Sequence, residues 1–195
     1  MDLTNALLQI TDWLEKNVCT EIELKVPPEI DAPDDDEYDY KTAHPTAFPL
    51  FVPASDKLPP GLRSAVPCIC VQLMKGVDTP ANRELTLALG FATWNPGPHR
   101  MDWINGAKPF QADMSGWMDC WNMVDITARK IQSSVYLGPN IEIMLQEPME
   151  FGPYRQPQER EDEMQDSFYP MWFAYFQFKV RMTVLRNNEM LKQLL

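Results

Sequence analysis

The stretch FYPMWFAYFQFKVRMTVLR, Phe168 to Arg186, constrains the fold more than any other part of this chain. Trp172, Ala174, Phe176, Phe178, Val180, Met182 and Val184 recur at every second position. That is the period of a strand, so all of them share one face. The opposite face begins apolar with Phe173 and Tyr175 and turns polar through Gln177, Lys179, Arg181 and Thr183. A strand this long, covered on both faces over its first half, requires a sheet around it and a helix layer or second sheet above it. One α+β domain with a substantial core is expected. Nothing in the stretch points to catalysis.

The remaining periodic segments supply that sheet and that layer. Leu3, Leu7, Ile10, Leu14 and Val18 recur at spacings of four and three, predicting an amphipathic helix that starts between Asp2 and Thr4 and frays near Asn17. Ile22, Leu24 and Val26 alternate with Glu21, Glu23 and Lys25, a short half-buried strand that Pro27 and Pro28 end. CICVQLM (Cys68 to Met74) reads as an apolar strand and Gly76 to Pro80 as a turn. Leu85, Leu87, Leu89 and Phe91 then form a strand antiparallel to it, stopped by NPGP at Asn95 to Pro98. Trp117, Trp121, Val124, Ala128, Ile131 and Val135 predict the strongest helix, with Trp117 and Trp121 on its core stripe. Asp113 or Ser115 would cap it, and Gly138-Pro139 would stop it. Ile141, Ile143 and Leu145 make a further strand, Tyr154 to Ser167 an acidic, Gln-rich loop, and Asn187 to Leu195 a short closing helix. The order predicts a mainly antiparallel sheet packed on one face by two helices, in a single domain over residues 1–195.

Residues 27–66 differ in character. Proline recurs throughout, and DDDEYDY (Asp34 to Tyr40) is dominated by Asp34, Asp35, Asp36, Glu37 and Asp39. Such a segment buries too little apolar area to offset its own ordering entropy. It reads as a long extended excursion from the domain, with Phe48, Leu50, Phe51 and Val52 docking part of it. The acid run fits a solvated loop first. It also fits a set of oxygen ligands for a hard divalent cation, although it lacks the alternation and glycine of an EF-hand loop. A third reading is an acidic strap that meets basic side chains on a neighbouring copy.

Composition narrows the function classes. A formal net charge of −11 argues against a protein that grips nucleic-acid phosphates through its overall field. No apolar run approaches the length of a bilayer span, and MDLTNALLQI lacks the basic start of a signal peptide, so a cytoplasmic protein without membrane contact is expected. Cys19, Cys68, Cys70 and Cys120 then act as small hydrophobes rather than disulfide partners. Cys68-Ile69-Cys70 is not a zinc-type pair. His44 and His99 stand beside prolines in loops and read as solvated residues. No phosphate-binding, dinucleotide-binding, zinc-protease or nucleophile-elbow motif occurs. No catalytic residue, cofactor or metal is expected. Met101, Trp103 and Ile104, apolar in a loop, read as a surface that meets a partner.

The ATWNPG turn (Ala92 to Gly97), the WMDCWNMVDITARKI helix (Trp117 to Ile131), the FGPYR turn (Phe151 to Arg155) and the FYPMWFAYFQF strand carry a resemblance. With their order of helix, strand, hairpin, helix and closing strand pair, they resemble the tail terminator, or tail completion, proteins of long-tailed bacteriophages. The likeness covers about residues 66–186 and the first helix and strand. It departs at Pro27 to Val66, which makes the chain longer than many members. The resemblance implies a non-enzymatic virion protein that forms a ring, typically a hexamer, on a finished tail tube. Such a ring halts tube growth, presents a surface to the head–tail connector and lets DNA pass through its lumen without specific binding. An acidic lumen would repel phosphates. Two other readings stand beside it: another neck or head-completion protein, and a small cytosolic hydrolase using Asp34 to Glu37.

Overall fold

The computed structural model describes residues 2–27, 41–79, 82–95, 115–153 and 170–183. The first helix, α1 (Leu3–Asn17), begins where expected because Asp2 caps it, its side chain accepting the Asn5 N–H at 2.7 Å. Ala6, Leu7, Ile10 and Leu14 bury one stripe, while Asp12 and Lys16 pair on the wet face. A short 3-10 turn (Cys19–Glu21) leads to β1 (Leu24–Lys25), which pairs antiparallel with β2 (Thr42–Ala43). This first strand is short: Ile22 and Leu24 are buried as the alternation predicts, and just past its end the Val26 N–H still donates to the Lys41 carbonyl at 2.9 Å. His44, expected as a solvated residue, donates from Nδ1 to the Ile22 carbonyl at 2.7 Å and so fastens β2 beside β1.

Residues 41–66 correct the expectation of an extended excursion. They contain β3 (Thr46–Pro49), which joins the main sheet parallel to β4 (Cys68–Asp78). Ala47 points into the main core and Phe48 to the opposite face, the alternation of a true strand. Pro45 and Pro49 conceal it in the sequence, yet proline is tolerated on an edge strand. The outward N–H of Ala47 donates to Glu15 Oε1 at 2.6 Å, so α1 closes that edge. The acidic residues 34–39 lie outside the described residues.

β4 pairs antiparallel with β5 (Asn82–Trp94) through Asp78, past the turn expected from Gly76, because the strand continues after a bulge between Leu73 and Lys75. β5 pairs along its length with β9 (Met171–Thr183), the long strand read from the sequence. Between them in sequence come α2 (Ser115–Ser133), the hairpin β6 (Tyr136–Gly138) and β7 (Ile141–Ile143), and β8 (Glu150–Pro153). Gly138-Pro139 therefore turns a hairpin, with Asn140 at φ 65, rather than stopping a helix. Val135 and Leu145, expected on apolar stripes, are exposed. Among the described residues the main sheet runs β3-β4-β5-β9-β7-β6, with β8 also on β9. It is α+β and mostly antiparallel.

One sheet face carries the core. Ile69 and Val71 of β4, Leu85, Leu87, Leu89 and Phe91 of β5, and Ala174, Phe176, Phe178, Val180 and Met182 of β9 pack under both helices. Each such aliphatic or aromatic side chain contributes roughly 1.5–3 kcal/mol by leaving water. On the other face Phe48, Cys68 and Ala92 form a smaller cluster under Leu58, Leu62, Ala65 and Val66, with Phe173 against it. That cluster explains why β9 is apolar on both sides only at its start.

All four cysteines are buried and free. Burial pushes the thiols of Cys19, Cys68 and Cys120 up to about 12, and that of Cys70 upward too. The fold keeps them protonated, so the stability this provides is full below pH 9.0, the ordinary thiol value, and falls as pH rises from there towards about 12. Ellman's reagent should find almost no reactive thiol in the native chain and all four after denaturation.

Candidate functional site

The end of β5, the opening of α2 and the start of β9 meet around Asn95. Asn95 follows β5 and is almost fully buried, and its polar atoms are engaged in four directions. Its N–H donates to the Pro170 carbonyl at 3.0 Å, and its own carbonyl accepts Trp172 Nε1–H at 3.1 Å. Its side-chain Oδ1 accepts from Lys25 Nζ at 2.9 Å, and Nδ2 donates to Asp119 Oδ2 at 2.6 Å. The amide thus lies between a cation on β1 and an anion in the first turns of α2, where the helix dipole also favours negative charge. An amide neither gains nor loses a proton here. The arrangement is a clamp joining β1, β5, β9 and α2 rather than a proton-transfer site.

Packing tightens the same junction. Trp172 crosses the first turn of α2 at Gly116, where an added Cβ would stand 2.0 Å from Trp172 Nε1 and 2.7 Å from the Asn95 carbonyl oxygen. Glycine is required there for close approach. Cys120, one turn on, is buried under the same tryptophan, its thiol 3.8 Å from the Trp172 carbonyl.

An aromatic surface begins beside the clamp. The buried stripe of α2 is Gly116, Cys120, Met123, Val124, Thr127 and Ile131, rotated from the expected one. Trp117 therefore stands 43% exposed instead of in the core, and Trp121 is only partly buried. Their rings lie one helical turn apart, with centroids at 5.7 Å. The register of β8 on β9 sets Phe151 opposite Phe176, on the helix side of the sheet. Phe151 meets Trp121 edge to face at 6.0 Å and is 61% exposed. Met118 extends the patch at 54%. Contiguous large apolar side chains left in water mark a surface that another macromolecule covers.

Of the residues read from sequence as contact candidates, two are among those described. Phe51 is 68% exposed at the end of β3, whereas Phe48 is 5% exposed and belongs to the chain's own second cluster, so it offers nothing to a partner. Asp34, Asp35, Asp36, Glu37 and Asp39, with Met101, Trp103 and Ile104, lie outside the described residues. Sequence reasoning missed Lys25, Asn95 and Asp119 because their partnership is long-range. It set Trp117 and Trp121 in the core because hydropathy outweighs the small buried residues that define the real stripe.

A cavity of about 640 Å³ opens between β5, β9 and the β6–β7 hairpin, lined by Asn82, Tyr136, Asn140, Glu142, Arg181 and Thr183 among others. Arg181 stands between Glu84 and Glu142 in one cross-strand row, its Nη2 3.6 Å from Glu84. Glu84 pairs with one end of the guanidinium while the buried Arg181 Nε finds no hydrogen-bond partner among the described residues, and two carboxylates beside one cation make the cavity a poor trap for an anion. Among the described residues, no group of three or more His, Cys, Asp or Glu side chains is arranged to hold a metal ion. No protein-family model matches the sequence, and no curated protein matches it.

Proposed function

We propose that this chain is a virion structural protein, a tail terminator that closes the tail tube of a long-tailed bacteriophage as a hexameric ring, halts tube growth and forms the interface to the head–tail connector. The observation that carries the reading is the convergence of four separated segments, residues 92–95, 117–121, 151–153 and 170–173, around the first turns of α2. Asn95 binds Asp119 and Trp172, and Trp121 contacts Phe151, so residues from all four build one clamp and one exposed aromatic surface beside it. A rigid junction that presents aromatic rings to solvent suits assembly onto another protein better than turnover of a small molecule. The net charge of −11 favours a lumen along which DNA slides without being held. The protein would act in the virion tail and neck after assembly in the host cytoplasm.

Electron microscopy of phage particles made without this protein tests the proposal. Overlong tubes are the expected result. Tails of normal length that fail to join heads would instead assign the chain to the neck, and normal, infective particles would remove it from the virion pathway.

A further inference from the structure

The cavity between β5, β9 and the β6–β7 hairpin lies at the opposite end of the β5–β9 ladder from the clamp. Asn82 pairs with Thr183 beside the cavity, and Trp94 with Met171 beside the clamp. The ladder between them is roughly 40 Å long. At about 640 Å³ the cavity has the size of a small-molecule pocket, roughly 300–1,000 Å³. Most such pockets are lined by apolar side chains. This one is lined chiefly by a carboxylate, a guanidinium, carboxamides and hydroxyls, those of Glu142, Arg181, Asn82, Asn140, Tyr136 and Thr183. Strand pairing builds it. The register sets Glu142 of β7, Arg181 of β9 and Glu84 of β5 side by side, and the hairpin turn, with Asn140 at φ 65, brings that asparagine into the same lining.

Charge selects the ligand. Glu84 and Glu142 flank a single guanidinium, which leaves the row with one net negative charge. Arg181 gives its ion pair to Glu84, and among the described residues Glu142 forms none. An anion would meet two carboxylates. A metal ion would lack ligands, because no third carboxylate, imidazole or thiol converges there among the described residues. A primary ammonium needs only three acceptors. Glu142 supplies the charged one, and Asn82, Asn140, Tyr136 and Thr183 add neutral side-chain oxygens. Pro139 and the Tyr136 ring offer apolar surface to an alkyl stem.

We infer that this cavity binds a primary alkylammonium group, carried by a free alkylamine or by a lysine of another protein, with Glu142 as its counter-ion. The chain's net charge of −11 draws such cations towards it. The inference does not depend on the ring reading, and neither success nor failure of the experiment below bears on tube capping.

NMR titrations followed through the side-chain amide signals of Asn82 and Asn140 test it, with Asn17, bonded to the Trp13 carbonyl on α1, as reference. Butylammonium should shift both signals saturably and leave Asn17 in place, whereas butanol and butyrate, of the same length, should not. Glu142→Gln should weaken butylammonium at least about tenfold without changing the circular dichroism, since a hydrogen bond to a charged group is lost. Arg181→Gln removes a positive charge and leaves both acids, so it should tighten binding. Nα-acetyl-lysine methylamide and putrescine distinguish the sources: tighter binding of the first assigns the cavity to a partner's lysine, and of the second to a free amine. Butyrate or butanol binding as well as butylammonium overturns the assignment. So does an unchanged affinity in Glu142→Gln, a weakened one in a folded Arg181→Gln, or no saturable shift with butylammonium.

Discussion

Gly116→Ala should destabilise this protein by about 3 kcal/mol or more, even though alanine is the better helix former by about 1 kcal/mol. The new methyl carbon would stand 2.0 Å from Trp172 Nε1 and 2.7 Å from the Asn95 carbonyl oxygen, well inside any possible contact. Trp172 would have to leave the first turn of α2 and give up its bond to Asn95, and a bond of that kind contributes roughly 1 kcal/mol. Its displacement also loosens the cover over Cys120. Urea unfolding should show a lower midpoint at unchanged slope, and the Cys120 thiol should become the first to react with Ellman's reagent. A stability within about 0.5 kcal/mol of the parent would mean that the Trp172–Gly116 packing is not formed.

The second large effect belongs to the core strand. Phe176 is fully buried at the centre of β9, tilted against Phe178 with ring centroids 5.7 Å apart, and paired with Leu89 of β5. Phe176→Ala should cost about 3–5 kcal/mol, the lost transfer energy plus a cavity that neighbouring strands cannot close. Trp121→Ala is the informative contrast. Sequence periodicity places Trp121 in the core, where its truncation would cost as much, but its ring faces Trp117 and Phe151 at the surface. Its effect on unfolding should therefore be clearly smaller than that of Phe176→Ala. Equal losses would put Trp121 back among the core residues.

These cases show which parts of the fold are readable from residue order. β5 and β9 were legible because each alternates strictly for many residues, and α1 because its stripe is built of large aliphatic side chains. β3 was not, since prolines flank it and its two buried residues face opposite sides of the sheet. The stripe of α2 was misplaced for a different reason: Gly116, Cys120 and Thr127 are small, and Trp117 and Trp121 outweigh them in any hydropathy count. The clamp was invisible. Asn95 finds Lys25, Asp119 and Trp172 at sequence separations of 70, 24 and 77 residues, and a single asparagine before a proline reads as no more than a turn. The exposed aromatic surface follows from the same rotation of α2, so it too emerges only once the helix is seated on the sheet.

Tube growth in the presence of the purified chain tests the central claim most directly. Tail-tube protein polymerising in solution should stop elongating when this chain is added, and micrographs should show a ring of density at one end of each arrested tube. Tubes that reach the same lengths with and without it, and bare ends throughout, would contradict the account.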